Sequence, residues 1–252
     1  MHSGSDGRRF AVHDHRPGGT PGGTRPEPMA LEVRLTADGA SGAPGTGAAG
    51  RARETCPLRI EPHACVAAVS DDDAADWFLA RLLRGDRPDR SVSVYGVDVR
   101  ADRPAVQRLV GVVSVGMPLP EVPVRDALVT AGRHRGLAPE AASQRTADLT
   151  DVLGLRAVEH AAVSGLSPGQ RSRVALGCAL LHVPKLLLLC HPLDGVDSAS
   201  EKIICRVLSR YTASTGTVVF STRSRSTAHR VAGRVFSVHD DEVCFGCPSA
   251  PH

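Results

Sequence analysis

Short apolar runs and longer amphipathic stretches alternate along most of this chain. Brief runs bounded by Gly, Pro or charged residues predict strands at Ala30–Leu35, Pro57–Ile60, Ala64–Val69, Leu109–Ser114, Leu186–Cys190, Thr217–Ser221, Val235–Val238 and Val243–Phe245. Leu186–Cys190 is apolar at every position, the pattern of a parallel strand covered on both faces. Apolar residues at helical spacing predict helices at Leu79–Gly85, Pro123–Arg133 and Ala138–Leu155. A further helix is opened by the turn Leu166–Gln170 and ends near Val183, and another carries Ile204, Val207, Leu208 and Tyr211. This last one follows Ser198-Ala199-Ser200-Glu201, which has the form of a capping box. Strands interleaved with helices predict an α/β domain.

The flanks differ from this pattern. Residues 1–28 are rich in Gly, Pro, Arg and His, too poor in apolar surface to offset their ordering entropy, so a disordered tail is expected. Residues 37–52 read as a flexible hairpin loop. The remainder of the 252 residues, 42% apolar overall, suffices for one domain with a small subdomain. Aromatics are only 3%, so the core is expected to be Leu, Val and Ala. A net charge of +3 with no basic stripe gives no reason to expect nucleic acid. No run reaches the ~18 apolar residues of a membrane span. Met1–Met29 lacks the apolar centre of a secretory leader, so a cytoplasmic protein is expected. The seven cysteines are scattered, and Cys178, Cys190 and Cys205 read as reduced core thiols. Cys244-Phe245-Gly246-Cys247 is a lone pair with no second pair to complete a zinc site, and His13 and His15 lie in the solvated tail. No metal centre is expected.

The most specific pattern runs from Ser164 to Asp197. It reads Leu166-Ser167-Pro168-Gly169-Gln170, an apolar helix, the strand, Cys190-His191-Pro192, then Leu193-Asp194-Gly195-Val196-Asp197. In order and spacing this resembles the signature helix, Walker B strand and D-loop of ABC-transporter ATP-binding subunits, where LSGGQ precedes four apolar residues, Asp-Glu-Pro and Leu-Asp. The resemblance spans residues 30–248. It implies an ABC-type P-loop NTPase-like cassette at 29–252, with an antiparallel β section and a helical subdomain at 116–163. In relatives that subdomain faces a membrane permease. Arg87-Pro88-Asp89 and Ser91–Asp98 look like the strand and turn after the family's first helix. That register sets Ser70–Phe78 at the phosphate loop, G-x-x-x-x-G-K-[ST].

The site residues depart from the family pattern. Ser70 and Ala75 stand for the loop glycines, Asp76 for the lysine and Trp77 for the Mg²⁺-binding hydroxyl, with Asp73 and Phe78 beside them. Cys190 and His191 stand for the Walker B acids, Val115 for the metal-reaching glutamine and Arg223 for the switch histidine. No Phe, Tyr or Trp lies between Leu31 and Ile60 to stack on adenine. Four aspartates now line the loop. Each unit charge at about 6 Å and an effective dielectric of about 20 repels a phosphate charge by about 3 kcal/mol before screening. ATP with Mg²⁺, the ligand the resemblance implies, is therefore expected to bind weakly or not at all, and the protein is expected to be a non-hydrolysing pseudo-ATPase. Asp71, Asp72 and Asp73 are expected to cap the following helix where a phosphate would sit. Cys190 and His191 offer soft-metal donors but are expected to form a neutral pair.

Ser167, Gly169, Gln170, Asp194 and Asp197 keep family identities. The resemblance implies that they reach across a head-to-tail dimer to a nucleotide on the partner. The local sequence equally fits Ser167 as a helix N-cap with Pro168 at the first helical position. The implied partners are a membrane permease and, in one version, an active ABC ATPase as heterodimer mate, at the inner face of the cell membrane. Two alternatives stand beside this reading: an active ABC ATPase energising transmembrane transport, and a freestanding scaffold protein.

Overall fold

The structure, a computed structural model, describes residues 28–35, 58–85, 87, 90–114, 117–214, 216–239 and 242–245. The expected tail before residue 28, the loop 37–52, Val115 and Gly246-Cys247 lie outside the described residues, as does the Cys244 side chain.

Two sheets organise the described chain. Strands β1 (Leu31–Leu35), β2 (Leu58–Ile60), β4 (Arg90–Val94) and β5 (Val97–Asp98) form an antiparallel sheet of order β2-β1-β4-β5. Strands β3 (Cys65–Val69), β6 (Val110–Val113), β7 (Leu186–Leu189), β8 (Thr217–Thr222), β9 (Arg234–His239) and β10 (Glu242–Phe245) form the second, of order β10-β9-β3-β8-β7-β6. Its inner pairs are parallel, and only the terminal β9–β10 hairpin is antiparallel.

The all-apolar strand pattern has its physical counterpart here. Side chains of a strand alternate between faces. Leu187 and Leu189 join Ala67, Val69, Val218 and Phe220 in a core beneath helices, while Leu186 and Leu188 join Val66, Ala68, Val219 and Phe236 in a second core with the antiparallel sheet. A strand between two cores has no face for polar residues, and β7 has none.

Helix α1 (Ala74–Leu82) follows β3 and packs Phe78 edge-on against Phe236 of β9, ring centroids 6.3 Å apart. Helices α3 (Val124–His134), α4 (Pro139–Val152) and α5 (Pro168–Leu180) cover the other core, together with α6 (Ser198–Ser214). Arg173 of α5 is buried and donates to the carbonyls of Leu153 (2.8 Å) and Gly154 (2.9 Å), tying α5 to the end of α4.

Several local expectations need correction. Two short helices lie where none was expected: α2 (Arg103–Leu109), capped by the Asp102 carboxylate on Ala105 N–H, and α7 (Arg225–Val231), capped by Ser224 on Thr227 N–H. Helix α5 ends at Leu180, short of Val183, which has a left-handed φ of 52°. The cap of α6 lies one residue earlier than its box motif implies. Asp197 Oδ1 accepts from Ser200 N–H at 2.8 Å and Oδ2 from the Ser200 hydroxyl at 2.7 Å. Asp197 immediately precedes the first helical residue, Ser198, and its charge suits the positive helix end.

Candidate functional site

Parallel strands all end on one side of a sheet, and their following loops gather there. The loop Ser70–Asp73 after β3, Cys190–Asp197 after β7 and Arg223-Ser224 after β8 share that edge with Thr222 at the end of β8, since these three strands are neighbours. Residues far apart in sequence meet as a result.

The entry to α1 is closed by local bonds. Ser70 Oγ donates to the Asp72 carbonyl (2.6 Å) and accepts from Ala75 N–H (3.1 Å), while Asp72 Oδ1 accepts from Ala74 N–H (2.9 Å). Capping is therefore done by Ser70 and Asp72. Asp73 stands at the N-cap position but makes no cap bond with its side chain, which corrects the expectation that all three aspartates cap. Asp73 turns instead to Arg223, 2.6 Å away. Asp76, in the first turn of α1, is 6% exposed. Its Oδ1 accepts from the Ser221 hydroxyl, and its Oδ2 lies 2.5 Å from His191 Nε2.

His191 sits between two carboxylates. Its Nδ1 is 2.7 Å from Asp194 Oδ2, and its backbone N–H donates to Ser221 Oγ at 3.1 Å. A left-handed φ of 47°, unusual for a side chain of this size, turns the ring into the cluster. The ring contacts are close but poorly aligned as hydrogen bonds. Asp76 Oδ2 and both His191 ring nitrogens are buried without an aligned partner. Asp194, then Asp76, raise the His191 pKa to about 9 against the opposing effect of burial. The imidazole is therefore charged at neutral pH, which corrects the expected neutral Cys190–His191 pair. Cys190 is buried beside it.

Burial works against the Asp194 charge, but His191, the Thr222 hydroxyl (2.8 Å) and Arg223 N–H (3.3 Å) win, and its carboxyl is held below the usual range. The acidic loop is thus not an uncompensated cluster. Asp73 has Arg223 and Asp76 has His191, so the repulsion counted from four bare aspartates overstates the local negative field. Sequence reading missed Ser221, whose hydroxyl bridges Asp76 and the His191 backbone. A polar residue ending a buried strand was the available signal.

The other predicted residues sit elsewhere. Ala75 and Phe78 are core residues, and Trp77 faces away from the core at 61% exposure. At the start of α5, Ser167 Oγ accepts from Gln170 N–H (3.2 Å) and Gln170 Oε1 accepts from Ser167 N–H (2.9 Å), a complete capping box. Gly169 packs against Ser200 of α6 and the capping Asp197, and the bonds from Ser200 hold the Asp197 carboxyl below the usual range.

This architecture is that of an ABC-type P-loop NTPase-like cassette. It superimposes on a metal-chelate-type ABC transporter solved in an inward-facing conformation, with TM-score 0.66, covering 86% of this chain and 82% of that one at 21% identity. The chain is 33% identical over 179 residues to an ABC transporter ATP-binding protein of Streptomyces avermitilis, 69% of this chain and 30% of that protein. It is 32% identical over 188 residues to the aliphatic sulfonates import ATP-binding protein SsuB of Pseudomonas entomophila, 74% of this chain and 67% of that protein. The chain thus spans 30% and 67% of these two relatives' lengths. No family model matches it. By these relatives and this fold, the chain belongs to the ABC-transporter ATP-binding protein family.

Proposed function

We propose that the chain is a non-hydrolysing ATP-binding-subunit-like protein that pairs with a membrane permease. The carrying observation is the ion network at the sheet edge. Asp76, His191 and Asp194, with Asp73 and Arg223, gather their own charges at the loops that the sequence resemblance matches to the family's phosphate site. Mg-ATP does not fit these residues. The N–H groups of Ala74 and Ala75, which a phosphate would use, are taken by Asp72 and Ser70. A buried carboxylate stands where a lysine would neutralise phosphate. Among the described residues, the Walker B positions Cys190 and His191 carry no acid for phosphoryl transfer.

In this reading residues 29–252 form one cassette and 116–163 its permease-facing helical part. The protein works at the inner face of the cell membrane. No helix among the described residues is long and apolar enough to cross the membrane itself. An active ABC ATPase is a suitable mate. Ser167 is exposed, and a hydroxyl that accepts a bond keeps its own proton to donate across a dimer. ATP hydrolysis by the purified chain, alone and with its permease, tests the reading. The expected rate is background. Turnover abolished by Asp194→Asn would overturn it.

A further inference from the structure

We propose that Asp73, Asp76 and His191 bind a first-row divalent transition cation of the Zn²⁺ type, independently of nucleotide. Carboxylate oxygens of the two aspartates and a ring nitrogen of His191 lie within 4.8 Å of one another. Asp76 is more than nine-tenths buried, and its Oδ2 faces the cluster without an aligned hydrogen-bond donor. His191 Nε2, 2.5 Å from that oxygen, is likewise buried and without an aligned partner. The two atoms face each other as an ion pair without hydrogen-bond alignment, and a cation set between them would give each a directed bond.

The surroundings have the form of a metal site's outer shell. A ligating histidine usually offers its second nitrogen to a carboxylate, which fixes the ring. Asp194 Oδ2 lies 2.7 Å from Nδ1 of His191, close though not aligned as a hydrogen bond, which leaves Nε2 for the cation. A ligating carboxylate is usually hydrogen-bonded in turn. Ser221 donates to Oδ1 of Asp76, leaving Oδ2 for the cation. Asp73 swings in from Arg223 as the third ligand. Metal–ligand bonds of about 2.0–2.2 Å set neighbouring ligand atoms roughly 3–3.5 Å apart, so His191 and Asp76 need separate by only about 1 Å. The cation takes the place of the ring proton. One nitrogen with two carboxylate oxygens suits Zn²⁺ or Co²⁺ over Mg²⁺, and three protein ligands leave an open position.

The test uses the full chain with Co²⁺ as a coloured probe, Zn²⁺ as competitor and no nucleotide. One equivalent of Co²⁺ is expected to give visible d–d absorption that Zn²⁺ abolishes and excess Mg²⁺ does not. Asp73→Asn, at an exposed position that does not threaten folding, and His191→Asn are each expected to weaken binding at least about tenfold. Absence of a Co²⁺ spectrum, or a spectrum indifferent to both substitutions, overturns the metal site and leaves the non-hydrolysing reading intact. A Co²⁺ spectrum that requires ATP overturns both.

Discussion

Replacing His191 with Asn isolates the central ion contact. At a φ of 47°, Asn is among the residues that tolerate the left-handed region, so the change adds little backbone strain. The bond from the backbone N–H to Ser221 Oγ survives. What disappears is the imidazolium between Asp194 and Asp76. A rise from the ordinary 6.5 to about 9 corresponds to roughly 3 kcal/mol favouring the charged ring in the folded state, at about 1.4 kcal/mol per unit. Solvent reaches part of the cluster, and screening removes about half, leaving about 1.5–2 kcal/mol. The folded-state pKa is raised, so this stabilisation is fully present below about pH 6.5 and is lost as pH climbs through about 9. Near pH 10 the wild-type ring is neutral, and the two proteins face the same pair of carboxylates without a cation between them. Urea unfolding near pH 6 and near pH 10 measures the difference. The variant should be less stable than wild type by about 1.5–2 kcal/mol more at the lower pH. A stability gap that does not change with pH would refute the charged ring.

Three other expectations concern the frame around the site. In Gly169→Ala the added methyl would collide with the side chains of Asp197 and Ser200, so unfolding should show a loss of about 1–3 kcal/mol; unchanged stability would mean that α5 and α6 are not in such contact. Ser167→Ala removes one arm of the α5 capping box and should cost about 1 kcal/mol in a thermal melt, whether or not a dimer partner is present. Burial pushes the Cys178 thiol up to about 11, so iodoacetamide at neutral pH should label it slowly until denaturant is added. Equally rapid labelling of the native protein would contradict its place under the sheet.

What the sequence disclosed and what it concealed follow from the range of the interactions. Leu186–Leu189 could be read as a doubly covered strand because burial on both faces is written in four consecutive residues. Ser167 could be read as an N-cap with Pro168 after it because the bond it accepts comes from Gln170, three positions on, and the reciprocal bond from Ser167 N–H to the Gln170 side chain came only with the structure. Helices α2 and α7 were hidden because seven residues hold too few apolar positions to show a period. Their caps, Asp102 before Arg103-Pro104 and Ser224 before Arg225, were the remaining signal. At α6 both Ser198 and Asp197 are competent caps, and only geometry chose between them. The site was half visible. Asp73, Asp76, His191, Asp194 and Arg223 had each been singled out along the chain, but their charges were added as if each stood alone. Arg223 and Asp73 are 150 residues apart, and Ser221 and Asp76 are 145 apart. Sheet order joins them, and no local pattern records that.

Isothermal titration calorimetry of the purified chain with Mg-ATP bears most directly on whether the protein's own charges occupy the nucleotide's place. No measurable binding heat is expected up to millimolar ATP. Binding at micromolar strength, abolished by mutations in the Ser70–Trp77 segment, would contradict it.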